Sequence, residues 1–407
     1  MPATPRSHVS GLVLALVAQA AGCSYSEERF HRPGCLGSYL LEGVCLSGTP
    51  TGDITLTTSI DTATRGAGGC TEILPQPGGP SLCVVAATSI RISGGARIRA
   101  TAQPAGATAT GTNPLVLVAT DSIVIDGTLD VASRTGELAV GGGARTAVGC
   151  GSSTDVDGRP GKPNGSVSGI GGGGGAGGGF GNAGGSGGTG GNGTSTVAAG
   201  NPHTPELAGV VVGGCPGGKG GNGNASDGTT GRGGVGGAGG GAVYLLASGS
   251  ITIAGTINAS GSGGGAGEVG SASASEGSSG GGGGGGAGGL IGLEAPSISV
   301  TGSLFANGGG GGGGFGGLLT NGMTRPGADP SAANIAAAGG TSNNGGGAGG
   351  NGGACAMNVG PGGPGRNAPG DVTPESGGGG GGGGVGVLHV FGDPQPALPV
   401  NAISPCA

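Results

Sequence analysis

Four short stretches of this chain repeat one unit, and that unit dictates extended structure. Ser89-Ile90-Arg91-Ile92-Ser93-Gly94 is the first copy and Ser122-Ile123-Val124-Ile125-Asp126-Gly127 the second. Ser250-Ile251-Thr252-Ile253-Ala254-Gly255 and Ser297-Ile298-Ser299-Val300-Thr301-Gly302 are the third and fourth. Ile-x-Ile alternation puts both β-branched side chains on one face at period two. The Gly supplies a turn that other residues adopt poorly. An aliphatic run precedes each copy: Leu82 to Ala86, Leu115 to Ala119, Val243 to Ala247 and Leu290 to Leu293. A third alternation follows: Ile98-Arg99-Ala100, Leu129-Asp130-Val131, Ile257-Asn258-Ala259 and Leu304-Phe305-Ala306.

Strands this short do not stand alone. Strand, corner, strand, turn, strand reads as one rung of a repeat whose stacked copies share an aliphatic column. The expected fold class is all-β, a parallel β-helix-like solenoid with glycine-rich insertions. An antiparallel sandwich or barrel built from the same strands is the alternative. Ile54-Thr55-Leu56 leads in, and Val385 to Phe391 closes as a candidate cap against edge pairing.

Glycine sets the rest of the problem. It makes up 116 of 407 residues, concentrated in Gly171 to Gly193, Gly213 to Gly241, Gly261 to Gly289, Gly308 to Gly317 and Gly345 to Gly384. Collagen is excluded, since no sustained Gly-X-Y period rich in Pro exists. Charged residues are only 9% and aromatics 2%, which fits neither ordinary disorder nor a thick aromatic core. Several tracts have period three: Ala183, Ser186, Thr189 and Asn192, then Arg232, Val235 and Ala238, then Ala348, Asn351 and Ala354. Three residues per turn is the period of an extended polyproline-type helix. The tracts therefore read either as polyglycine II helices packed backbone to backbone or as flexible linkers, since ordering Gly is entropically expensive.

The N-terminus points to export. Arg6 supplies a positive start, and Gly11 to Ala21 is apolar except for Gln19, too short to span a bilayer as a mature helix. Ala20-Ala21-Gly22-Cys23 resembles a lipobox, which makes Cys23 the lipidation site; Ala20 departs from the more usual Leu. An ordinary cleaved signal is the alternative. Ser24, where Asp would suggest inner-membrane retention, favours the outer membrane by that resemblance. One acylated N-terminus anchors a protein and does not make it span. The other cysteines are Cys35, Cys45, Cys70, Cys83, Cys150, Cys215, Cys355 and Cys406. An even count in an oxidising compartment suggests disulfides, with Cys35–Cys45 and Cys70–Cys83 favoured because each closes a short loop. Zinc is the rival reading, disfavoured because there is no CxxC pair and His is scarce.

The lipobox-like start, the paired aliphatic runs and the closing Gly-run-Val-Gly-Val-Leu-His-Val-Phe resemble predicted Gly-rich lipoproteins of myxobacterial type. The Gly tracts resemble the texture of PE-PGRS surface proteins, without the PE part. Neither resemblance implies a settled biochemical activity.

Tests for chemistry give weak signals. Gly184-Gly185-Ser186-Gly187-Gly188 and Gly277-Ser278-Ser279-Gly280-Gly281 fit GxSxG but lack strand-turn-helix context. Gly213 to Lys219 resembles a P-loop start, but Gly220 stands where Ser or Thr would bind Mg²⁺. Asp121, Asp126, Asp130, Asp155 and Asp157 read as solvated turn residues, with calcium as the sharper alternative. Net charge of −6 and the lack of a basic stripe argue against a nucleic-acid partner.

The chain divides into a signal peptide (1–22), a Cys-containing linker (23–51), first rungs (52–145), a Gly-rich insertion (146–241), further rungs with their own insertion (242–307), a second Gly-rich insertion (308–384) and a C-terminal strand and tail (385–407). The function expected is a non-enzymatic, lipid-anchored surface structural or adhesion protein. No catalytic residue, cofactor or metal is assigned. The expected partners are the membrane, through the lipid, and a surface glycan, matrix or protein. A glycan- or ice-binding module on a flat face is the alternative, and a β-helix polysaccharide-active enzyme the third reading.

Overall fold

The computed structural model describes residues 39–42, 44–102, 112–146, 156–161, 171–192, 209–224, 231–270, 279–316, 324–343, 345–354 and 376–392, together with Cys35, Cys150, 195–197 and 403–404. The chain opens with β1 (Asp53–Thr55), β2 (Ile60–Arg65), β3 (Gly69–Cys70) and β4 (Glu72–Leu74). Next come β5 (Leu82–Ile92), β6 (Arg97–Ala102), β7 (Leu115–Ile125), β8 (Thr128–Asp130) and β9 (Val140–Gly141). A separate antiparallel pair, β10 (Gly190–Asn192) and β11 (Ser195–Val197), follows. The later repeats supply β12 (Ala242–Ala247), β13 (Ser250–Ile253) and β14 (Thr256–Asn258), then β15 (Leu290–Glu294), β16 (Ser297–Val300) and β17 (Ser303–Phe305). The last two strands are β18 (Val387–Phe391) and β19 (Ile403–Ser404).

Two sheets result. The first runs β1-β5-β7-β12-β15-β18, with β13 and β16 continuing the rows beside β7. The second runs β19-β17-β14-β8-β6-β2-β3. Pairing is parallel except for β4 on β5 and β9 on β6. The four repeats align residue for residue: Ile90, Ile123, Ile251 and Ile298 form one row of the first sheet. Ile98, Leu129, Ile257 and Leu304 form the matching row of the second. These rows face each other and build one aliphatic core. A second core covers the other face of the first sheet, where Val84, Val116, Tyr244 and Leu290 meet Leu41, Phe180 and Val211.

The chain does not form the expected all-β, parallel β-helix-like solenoid. The chain forms two largely parallel sheets, the arrangement familiar in α/β chains, with no helix among the described residues. The sheets do not close into a solenoid. Parallel neighbours need a crossover of a dozen or more residues, usually a helix. Here that crossover is glycine-rich chain: 259–289 joins β14 to β15, and 306–386 joins β17 to β18. Ile-x-Ile alternation determines which face of a strand is buried, but it does not determine how the chain returns. The return leg lacks the aliphatic side chains that a third β face would need.

The glycine tracts are ordered as a lattice. Segment 280–289 donates backbone hydrogen bonds in strict rotation. Gly280, Gly283 and Gly286 donate to Glu268, Gly265 and Ser262; Gly281, Gly284 and Ala287 donate to Gly221, Gly218 and Cys215; Gly282, Gly285 and Gly288 donate to Gly378, Gly381 and Gly384. Its carbonyls accept from three further segments, through Gly175 and Gly178, Gly234 and Gly237, and Gly309 and Gly312. This segment thus has six bonded neighbours, in the three-residue period of an extended polyproline-type helix. The bonds satisfy buried backbone groups that have no strand partner. Close approach demands Gly: a Cβ at Gly282, Gly283 or Gly284 would overlap the carbonyl oxygen of Gly312, Val235 or Ala176. Several of the period-three positions that carry side chains lie on the rim. Ser186, Arg232, Val235 and Asn351 are exposed, Val235 at 68%.

Candidate functional site

The repeats leave one largely polar outward face. Alternation turns Ile90, Ile123, Ile251 and Ile298 inward, so their neighbours point out. Asp53, Ser89, Ser122, Ser250 and Ser297 then stand in one row, in direct register across five strands. Thr55, Arg91, Val124, Thr252 and Ser299 form the next outward row. Thr128, Thr256 and Ser303 continue the pattern on the second sheet. Adjacent members of a row are separated by the strand spacing of about 4.8 Å. The serines of the first row are partly or fully exposed. Ser89 and Ser122 each donate to the Asp121 carboxylate at 3.4 Å. The Ser that opens each repeat was the visible signal of this ladder, and the sequence reading used those residues only as markers of the unit.

The acidic residues have structural tasks. Asp126 pairs with Arg91 across strands. Asp130 is buried and holds Arg97 and Arg134, each at 2.6 Å. Burial disfavours the Arg134 charge, but the hydrogen bond to Asp130 and the attraction of Asp130, Asp329 and Glu137 outweigh it and raise its pKa. Asp157 accepts from the Lys219 N–H at 2.7 Å. Asp155 lies outside the described residues. Among the described residues no group of three or more His, Cys, Asp or Glu is placed to hold a metal.

Sequence reading missed a buried polar pair on the first sheet. Tyr244 and Glu294 are both fully buried, and the phenol donates to Glu294 Oε2 at 2.7 Å. Gly292, directly opposite Tyr244, makes room for the ring, since a Cβ there would overlap it. His389 follows Gly292 in the same row, and Phe391 follows Glu294. Tyr39 stacks on Phe391 with ring centroids 3.8 Å apart. Burial lowers the His389 pKa.

The weak motifs have other roles. The Gly214, Gly217, Gly218 and Gly220 N–H groups donate to carbonyls of Gly240, Gly237, Ala176 and Gly234, so this P-loop-like run has already committed the donors a phosphate would need. Ser186 sits on the exposed rim of the lattice, and Ser279 is buried at the end of the central segment. Ser278 lies outside the described residues, as do Cys23, Cys355 and Cys406. Disulfides join Cys35 to Cys45, Cys70 to Cys83 and Cys150 to Cys215. Near the last of these a cavity of about 300 Å³ is lined by Pro80, Thr112, Arg145, Val210 and Val212. Arg145 donates its backbone N–H to the Gly214 carbonyl and lies 5.6 Å from the Phe180 ring centre.

No protein-family model matches this chain, and no curated protein or solved structure matches it.

Proposed function

We propose that the chain is a non-enzymatic, lipid-anchored protein of the outer membrane surface that serves a structural or adhesive role. The observation that carries this reading is the glycine lattice. A segment bonded to six neighbours has no soft direction, and the lattice packs on the first sheet through Phe180, Val211 and Ala287. Such a body suits rigid display better than closure around a substrate. The lipobox-like Ala20-Ala21-Gly22-Cys23 and the resemblance to Gly-rich lipoproteins support the anchor.

The test is globomycin-sensitive lipid labelling of the native chain against Cys23→Ala, followed by protease treatment of intact cells. Labelling lost in the variant, with exposure to protease, is expected. An unlabelled protein released to the medium would overturn the reading.

The in-register hydroxyl rows favour a second reading, a glycan-binding face. A flat array of Ser and Thr hydroxyls can donate to and accept from a repeating polysaccharide. Thr252→Glu with Ser299→Glu places like charges in adjacent strands of that face. Under this reading, retention on insoluble polysaccharide falls at least tenfold with folding unchanged. Equal retention would dismiss it.

A further inference from the structure

We propose that the glycine lattice carries, along segment 377–384, a docking groove for one extended Gly-Gly-X segment of a second polypeptide. Lattice segments 172–178, 280–288 and 308–315 commit every backbone N–H to a partner. Segment 377–384 does not. Gly379 and Gly382 are buried, and their N–H groups have no partner among the described residues. Buried backbone donors of folded chains are almost always paired.

The donors of this segment rotate with period three. Gly377, Gly380 and Gly383 donate to Phe315, Gly312 and Gly309; Gly378, Gly381 and Gly384 donate to Gly172, Gly175 and Gly178. Its carbonyls accept from Gly282, Gly285 and Gly288, from Gly185 and Gly188, and from Gly347, Gly350 and Gly353. Five segments therefore surround it. Gly379 and Gly382 form the third donor series, about 9.3 Å apart at about 3.1 Å per residue.

The neighbours fix where that series points. Segment 182–191 is bonded to 171–178, through Gly174 N–H to Gly188 O, and 171–178 to 280–288, through Gly175 N–H to Gly282 O. Segment 280–288 is bonded to 308–315, through Gly312 N–H to Gly283 O, and 308–315 to 347–353, through Gly311 N–H to Gly350 O. No bond among the described residues joins 347–353 to 182–191, so the ring is open at that one place. Donor and acceptor directions alternate around the segment, and both segments that border the opening lie on acceptor directions. The opening is thus the donor direction left for Gly379 and Gly382.

The walls supply acceptors. The Ala348 and Asn351 carbonyls lie against Gly379 and Gly382, and the Ser186 and Ala183 carbonyls against Gly381 and Gly384. None of these four accepts from a backbone N–H among the described residues. An occupant must therefore accept along the floor and donate to both walls. A chain in the same three-residue period does this with two N–H groups in three, and its third N–H faces solvent. Strands and α-helices have the wrong period. Both walls show the sequence that suits such a place: Ala183-Gly184-Gly185-Ser186-Gly187-Gly188 and Ala348-Gly349-Gly350-Asn351-Gly352-Gly353, with Ser186 and Asn351 exposed. A Cβ at Gly184, Gly187, Gly349 or Gly352 would overlap a backbone carbonyl, whereas the outward residue is free to carry a side chain. Main-chain hydrogen bonds then give affinity, and the demand for Gly gives selectivity.

The test is hydrogen exchange on the full-length protein, resolved to Gly379 and Gly382, with a synthetic peptide of Gly-Gly-Ser repeats as the probe. In dilute protein alone both amides are expected to exchange faster than Gly380 and Gly381, and to slow about tenfold or more as the peptide is added. A peptide of Gly-Ala-Ser repeats is expected to leave them unchanged, because its extra methyl meets backbone. Protection that is present in concentrated protein and lost on dilution would support the groove and identify the second polypeptide as another copy of this chain. Slow exchange of both amides at every dilution would overturn the proposal, because the chain would then fill the groove itself. Fast exchange that the Gly-Gly-Ser peptide leaves unchanged would overturn it too, as would equal slowing by both peptides.

Discussion

Replacing Gly284 by Ala adds one methyl group where the structure has no room for it. The new Cβ would overlap the carbonyl of Ala176 and the N–H of Gly177, both backbone groups of the adjoining segment. No rotamer change relieves a clash with backbone, so one segment must move. Gly284 is held by its N–H to Gly218 O at 2.9 Å and by its carbonyl, which accepts from Gly237 N–H at 2.8 Å. A shift large enough to remove the overlap breaks both bonds inside a buried lattice. The two bonds join four backbone groups, and each one left unpaired and buried costs about 1–3 kcal/mol. Ala returns up to about 1 kcal/mol by restricting the unfolded chain. The net expectation is destabilisation by at least about 3 kcal/mol. Gly94→Ala is the control. Gly94 is exposed, and a Cβ there meets nothing closer than Asp126 Cβ at 4.0 Å. Scanning calorimetry with the disulfides intact compares the two, and hydrogen exchange reads the 280–289 amides directly. If Gly284→Ala stays within about 0.5 kcal/mol of the parent, as ordinary surface substitutions do, the six-neighbour packing is refuted.

Three further perturbations test other parts of the fold. Asp130→Ala leaves Arg97 and Arg134 without their shared buried partner; both can partly rehydrate, so a loss of about 2–4 kcal/mol is expected, below the full cost of a broken buried pair, and an unchanged denaturation midpoint would contradict the bridge. Glu294→Ala strips the Tyr244 phenol of its 2.7 Å acceptor and should cost about 1–3 kcal/mol, whereas Glu294→Gln, which keeps an acceptor, should cost less; equal losses would deny the hydrogen bond its role. His389 has its pKa lowered by burial, so the folded state binds fewer protons than the unfolded one. Its contribution is present above the ordinary imidazole range and fades as pH falls through the lowered folded value. His389→Asn should therefore flatten stability against pH on the mildly acidic side, and an identical pH profile in the variant would exclude this assignment.

Local periodicity was enough for the strands. The Ser-Ile-x-Ile-x-Gly copies identified the inward rows, and the four units stack in the register that their alignment implies. Short-loop spacing was also enough for Cys35–Cys45 and Cys70–Cys83. Cys150–Cys215 spans 65 residues and depends on where two glycine-rich segments meet, which spacing alone cannot show. The Tyr244–Glu294 pair was equally invisible, because its partners are 50 residues apart and become neighbours only through the β12–β15 register.

The closure of the fold was misread for a related reason. Alternation is a property of one strand, and the period-three glycine pattern is a property of one segment. Both were present in the chain, and alternation by itself determined the β rows and their buried faces. Which segments become neighbours was decided only in three dimensions. Glycine has no side chain with which to select a partner, so its contacts are chosen by backbone hydrogen bonds between segments that the sheets have already brought together.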